Sequence, residues 1–409
     1  MDRDDIDNIA AWLADRGLAG DSELALLQGF CGRCLEAGLA LSRSVAIIDT
    51  LHPVYEGRAF FWDRDRPLES RISEYGPSND SSNNEDWRSS PFYHLLQSKD
   101  TELRRRLEDG ETGDFPLLAE LRAQGQTDYF AMIQRFNPQA AIGEMDCFMS
   151  RWSTAQAGGF SDADLAALRR LVPVLGLAIK STSLARVAES LVEAYLGRDA
   201  GRRVLQGRMT RGVVEKINAV LWFSDMQGYT ALSESIASDQ LIPLLDDYAE
   251  AVISAVHAAG GDVLKLIGDG TLAIFTADDP EEACCSALRA EAELRLRLAE
   301  LNQRREAEGR PTTSIYLGLH IGDVFYGNIG SKDRLDFTVV GQAVNEVSRI
   351  ASMCSSADRD VLFSAAFRAS LPEAEGAKLV SVGRYALRGV GRAQELFTLD
   401  PELAVLPLR

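Results

Sequence analysis

The stretch LKLIGDGTLAIF, residues 264–275, is the feature that most constrains the fold. Two apolar runs of about strand length flank Gly268-Asp269-Gly270. Such a pair reads as an antiparallel hairpin with an acid at its tip. Lys265 sits four residues before that acid, inside the first run. Alone, this is a common Asp-Gly turn beside a solvated lysine. The neighbouring segments change that reading.

From INAVLWFSD onward, strong strand patterns alternate with helical ones, which places a second domain at about 215–400. In AVLWFSDMQGYT, residues 219–230, a strand runs directly into Asp225 and then Gly228. An acid at the end of a strand, before a tight turn into a helix, is well placed for a metal. The amides from Met226 through Gly228 and Tyr229 to Thr230 would aim donors at phosphate oxygens. Many strands also end in an Asp that only caps a helix. In a β-α-β-β arrangement the end of the first strand lies beside the hairpin, so Asp225 and Asp269 could share a pair of Mg²⁺ ions. A third segment, DFTVVGQAVNEVSRIAS at 336–352, is a strand with Thr338, a turn at Gly341, and a helix. Asn345 and Arg349 are spaced i, i+4 on that helix. An amide and a guanidinium on one face suit a ribose and a phosphate, and equally describe a solvated helix face.

The three segments, in this order, resemble the class III nucleotidyl cyclase catalytic domain. FSDMQGYT resembles its first metal motif and KLIGDG its Lys-x-x-Gly-Asp motif. TVVGQAVNEVSR resembles its Gly-x-x-x-Asn-x-x-x-Arg signature. The resemblance implies an α+β domain with a ferredoxin-like, palm-type βαββαβ core. It implies that Asp225 and Asp269 bind two Mg²⁺ (or Mn²⁺) ions and that Lys265 and Thr338 read the purine of ATP. Asn345 would orient the ribose, and Arg349 would stabilise charge on the α-phosphate. Phe223 lies beside the first metal motif, within the substrate-binding set. Many members carry Asp at the Thr338 position; a threonine resembles soluble, mostly bacterial adenylyl cyclases. Lysine donates to an adenine ring nitrogen, whereas guanine calls for a carboxylate. YALRGVGRAQELF resembles the closing strand motif, with Arg388 where a lysine often meets the polyphosphate. Tyr316 stands about where some members carry an arginine. In this family metal-binding and Asn/Arg residues facing one substrate come from different subunits, so a homodimer with sites at the interface is implied. The alternatives are a guanylate cyclase and a non-catalytic nucleotide-binding dimerisation module. GGDVL at 260–264 superficially resembles a diguanylate cyclase signature but lacks its Glu-Phe ending.

The first half reads differently. Residues 1–45 have capped, amphipathic helical patterns, and 46–62 look like paired strands. Residues 76–90 are polar and loop-like, and 91–125 read as helices with short breaks. YFAMIQRF and GEMDCFMSRWST read as strands. A helix capped at Ser161 runs on to a Gly- and Arg-rich connector. An α+β module is therefore expected at 1–180, with a helical signalling linker at 181–214. The module faintly resembles a GAF-like sensor, open to a small-molecule or protein signal. Cys31 and Cys34 have helical spacing and read as packed cysteines rather than a metal or redox pair.

The chain has 409 residues and a net charge of −18, with acids spread over both halves. That argues against a nucleic-acid partner, which needs a positive footprint. LVPVLGLAIK is too short for a membrane span, so no membrane insertion is expected. The acidic start is unlike a signal peptide, and a cytoplasmic protein is expected.

Overall fold

The computed structural model describes residues 1–400, apart from 67–70, 77–83, 138, 140–141 and 144. The chain divides into two units, Met1–Leu191 and Val192–Arg409.

The first unit opens with helices α1 (Arg3–Leu18) and α2 (Glu23–Glu36), then strands β1 (Arg43–Asp49), β2 (Gly57–Asp63) and β3 (Arg71–Tyr75). Next come α3 (Asn84–Arg88), α4 (Pro91–Gln97), β4 (Glu102–Arg106), α5 (Pro116–Ala123), β5 (Asp128–Arg135) and β6 (Cys147–Thr154). The long helix α6 (Asp162–Leu196) begins here and ends in the second unit. Asp2 and Ser22 cap the first two helices, and Ser161 pairs with Asp164 at the start of α6.

The strands form one antiparallel sheet in the order β3-β2-β1-β6-β5-β4. Residues two apart share a face, and the two faces have separate cores. Phe60, Phe130, Phe148 and Trp152 pack with the apolar side chains of α1, α2 and α6. Tyr129, Ala131, Ile133 and Met149 pack with those of α4 and α5. Cys31 and Cys34 are fully buried in the first of these cores. Burial pushes the Cys31 thiol up to about 12, opposed by a Ser44 contact, so it stays an inert packing group.

Two local expectations fail. Residues 102–106 form an edge strand where helix was expected. Their sequence, Glu-Leu-Arg-Arg-Arg, has no strand-like apolar alternation. Its anchor is electrostatic: the Arg104 guanidinium sits 2.7 Å from the buried carboxylate of Asp128 on β5. Part of the expected loop at 76–90 is helix α3, while 77–83 lie outside the described residues. Helix α6, with 35 residues, is long and apolar enough by length and composition alone to cross a membrane. Its Leu165, Leu168, Leu171, Leu175 and Ile179 stripe is buried in the core of this unit.

The second unit continues with α7 (Arg198–Leu205), β7 (Val214–Met226), α8 (Tyr229–Ser235), α9 (Ser238–Ala258), β8 (Asp262–Ile267), β9 (Gly270–Phe275) and α10 (Pro280–Ala307). It then forms β10 (Ile315–Gly330), β11 (Leu335–Val340), α11 (Gln342–Ser352), α12 (Cys354–Ala357) and β12 (Val361–Ser364). The chain closes with α13 (Ala365–Ala369), α14 (Glu373–Gly376), β13 (Leu379–Tyr385) and β14 (Gln394–Leu399). Within this, β7-α-β8-β9-α10-β10 is a βαββαβ unit with strand order β10-β7-β9-β8. That is the split βαβ arrangement. Beyond β10 the sheet extends through β12, β14 and β13, while β11 pairs with the far half of β10.

Helices α9 and α10 cover one face, over Trp222, Phe275, Leu317 and Leu319. On the other face, Leu221, Leu264, Leu272 and Val324 form one cluster with Phe337, Val339 and Val347. Helix α11 crosses β10 closely at Gly318. A Cβ there would lie 2.7 Å from Val347 O and Ala351 N, so only glycine lets this helix rest on the sheet.

Arg305 of α10 is fully buried; its guanidinium pairs with Asp247 of α9 and donates to Pro311 O at 2.8 Å. Removing one partner of a buried pair leaves an uncompensated charge. Asp247→Ala should therefore destabilise the second unit by about 3 kcal/mol in chemical denaturation. A loss below about 0.5 kcal/mol would show that Pro311 and solvent suffice.

Candidate active site

The hairpin turn is built by Gly268 and Asp269, since Ile267 pairs with Gly270. Gly268 has φ +65° at the first turn position, the backbone that a Gly-first two-residue hairpin turn requires. The turn is thus Gly-Asp, not Asp-Gly, and Gly270 opens the next strand. Ser224 of β7 pairs with Thr271 of β9, one step before the turn. That register sets Asp269 beside the end of β7, where Asp269 Oδ2 accepts from the Met226 N–H at 3.2 Å.

Asp225 and Asp269 lie close enough to act on each other's carboxyl. Burial, the bond to Asp269 and the Asp269 charge together raise the Asp225 carboxyl to about 7, opposed by the Met226 N–H. Two carboxylates this close cannot both ionise freely without a cation. Among the described residues neither has an ion-pair partner. A pair of hard oxygen donors in this condition fits Mg²⁺ or Mn²⁺.

Lys265 lies on β8 beside a bulge and forms an ion pair with Asp336 of β11. The partner comes from far along the chain because the β10–β11 hairpin folds across the face where Leu264 meets Phe337. Thr338 lies two residues beyond Asp336, on the same face of β11, and is buried. It makes no side-chain hydrogen bond among the described residues. The sequence reading named Thr338 and missed Asp336, which holds the lysine. Its clue was the alternation in DFTVV, which sets both residues on one face.

Asn345 and Arg349 are exposed on α11, while Ala343, Val347 and Ile350 face the core. Neither side chain has a hydrogen-bond or ion-pair partner among the described residues. No such contact links them to Asp225, Asp269 or Lys265. Arg388 is exposed in the β13–β14 connection. Tyr316 sits opposite Asp225 in register and packs beside Cys354 and Leu362. His320 is buried against Ser364 (2.9 Å) and Glu346 (3.5 Å), and burial lowers its pKa.

The expected row of free turn amides is corrected in part. The Met226 N–H is spent on Asp269, and the Gln227 N–H donates to Ser314 O at 2.8 Å. The β7–β10 pairing runs to Met226, and the Gln227 donor continues it. Gly228, with φ +63°, caps α8, and Thr230 is exposed. Tyr229 packs toward the α9–α10 core, and Phe223 is half-buried near Leu272.

Residues 213–400 match the adenylate and guanylate cyclase catalytic domain. The match starts at the edge of β7 and ends just past β14. The chain is 32% identical over 175 residues to an adenylate cyclase of Anabaena cylindrica, covering 41% of this chain and 34% of that protein. It is 30% identical over 149 residues to adenylate cyclase 1 of Rhizobium meliloti, covering 35% and 22%. The chain thus spans about a third or less of the length of these relatives. Among solved structures, the adenylyl cyclase CyaB from P. aeruginosa aligns with TM-score 0.42 and 23% identity, over 46% of this chain and 96% of that one.

The carboxylate pair gives a test that needs no turnover. Mn²⁺ at about a hundredfold excess over its Kd should raise the Tm of the second unit by roughly 5–10 °C. Asp225→Asn should keep or raise the Tm in chelator and lose the Mn²⁺ response. An equal response in variant and parent would remove Asp225 from the metal site.

Proposed function

We propose that residues 215–400 form an adenylyl cyclase domain that converts ATP to 3′,5′-cyclic AMP and pyrophosphate. The observation that carries this is the carboxylate pair Asp225–Asp269, brought together by the hairpin register and without a cationic partner. The match to the cyclase catalytic domain supports the same reading.

When bound by Asp225 and Asp269, two Mg²⁺ (or Mn²⁺) ions supply Lewis acidity to the phosphate oxygens and the ribose 3′-hydroxyl. Lys265, held by Asp336, donates to the adenine ring, and the Thr338 hydroxyl reads the same base. Asn345 orients the ribose. Arg349 stabilises the charge that develops on the α-phosphate as the 3′-oxygen attacks in line and pyrophosphate leaves. Its freedom from internal ion pairs leaves the guanidinium available for that task. Phe223, Gly228, Tyr229 and Thr230 border the nucleotide, and Arg388 extends toward the polyphosphate.

The working form is a homodimer, with Asp225 and Asp269 of one protomer facing Asn345 and Arg349 of the other. Leu266, Ile267, Phe325 and Val340 are large, apolar and exposed around the Lys265–Asp336 pair, as expected for a face covered by a second copy. Residues 1–180 act as a GAF-like regulatory module, and 181–214 as the helical linker that carries its state. A small molecule or protein supplies the signal. Six free cysteines accord with a reducing, cytoplasmic setting.

The test is product formation by the purified chain from ATP and from GTP, with Mg²⁺ or Mn²⁺. Cyclic AMP from ATP is expected, with loss of product in chelator. Arg349→Ala should lower turnover about 10²–10³-fold with a smaller effect on ATP affinity. Cyclic GMP as the main product would contradict the role given to Lys265. ATP binding without turnover under every condition would favour a non-catalytic nucleotide-binding module.

A further inference from the structure

The sheet of the first unit carries a cavity of about 570 Å³ over β1, β2, β3 and β6. Its wall is unusual for a chain with net charge −18: Arg43, Arg66, Arg71 and Arg151 line it, with Asp63 the one acid among the described residues. Arg43 is committed to Asp63 at 2.9 Å and to Gln124. Arg71 lies 4.8 Å over the Phe61 ring. Arg151 is half-buried and has no ion-pair or hydrogen-bond partner among the described residues. Burial pulls its pKa down and nearby Arg43 adds to this, while Tyr129 and Glu120 act in the opposite direction.

A second observation points to the same spot. The Tyr129 hydroxyl is fully buried and has no hydrogen-bond partner among the described residues. Tyr129 and Arg151 line one small recess of about 10 Å³ next to the cavity. A buried phenol without a hydrogen-bond partner among the described residues and a half-buried guanidinium without an ion-pair partner thus line the same recess. An orphaned buried polar group is costly. It persists where a ligand completes it. Val45 pairs with Arg151 in register on one side and with Phe61 on the other, which sets an apolar strip beside the charge.

We propose that this cavity binds a small organic acid. The oxyanion of that acid accepts from Arg151 and Tyr129, and its apolar body lies against Val45 and Phe61. The planar fork of a guanidinium matches both carboxylate and phosphate, and the volume lies within the range of small-molecule sites. The site gives the proposed regulatory module a ligand class, and it stands or falls separately from the cyclase reading.

The test is calorimetric titration of the full chain with benzoate, phenyl phosphate and the neutral benzamide. At least one acid should bind saturably, and benzamide at least tenfold more weakly; the tighter acid identifies the oxyanion. Arg151→Met should lose at least tenfold in acid affinity while keeping its Tm, because the half-buried guanidinium has no ion pair among the described residues to lose. If that variant does not fold, the isosteric Tyr129→Phe is read instead, with a several-fold loss expected at unchanged or higher Tm. No acid binding at about 10 mM, equal binding of benzamide, or affinity indifferent to the variant that is read would each overturn the site.

Discussion

The pairing of β7 with β9 is the constraint on which the candidate site depends. Ser224 opposite Thr271 fixes where the hairpin turn falls, and the turn fixes Asp269. A slip of one residue would send the alternating side chains of β9 to the wrong faces, so the buried strand resists it. Every residue of β9 is buried, which makes this register strongly specified. Gly268 then supplies the positive φ that a tight turn demands. Two like charges are held together because the sheet, not their own interaction, positions them. The energy to do so comes from the core beneath, and the site expresses it as a carboxyl raised to about 7.

The same sheet separates the remaining groups. The β10–β11 hairpin brings Asp336 to Lys265, and Gly318 lets α11 lie close enough to present Asn345 and Arg349 outward. Those two side chains have no hydrogen-bond or ion-pair partner among the described residues, and Leu266 and Ile267 beside the lysine are exposed. A carboxylate half and a guanidinium half, each left open, describe a surface that a second copy of the chain would complete.

Much of this was legible in the sequence because the signals were local. The hairpin around Gly268-Asp269, the strand ending at Asp225, and the i, i+4 spacing of Asn345 and Arg349 all follow from neighbouring residues. What escaped was decided by distant ones. Asp336 became the partner of Lys265 only through a fold-over of β11, 71 positions along the chain. The amides of Met226 and Gln227 looked free, but β7 continues its ladder and Ser314 claims one of them. The edge strand Glu102–Arg106 has helix-like composition and is held by β5 and by Asp128. Nor could periodicity reveal that Arg151 would lack an ion pair among the described residues, because an absent contact has no local signature.

The most direct test of the account is complementation between two inactive chains. Asp225→Ala disables the metal half and Arg349→Ala the phosphate half. Mixed under conditions that exchange protomers, they should regain cyclic AMP formation, since each heterodimer holds one intact site. Full exchange with no recovery would contradict a site shared between two copies.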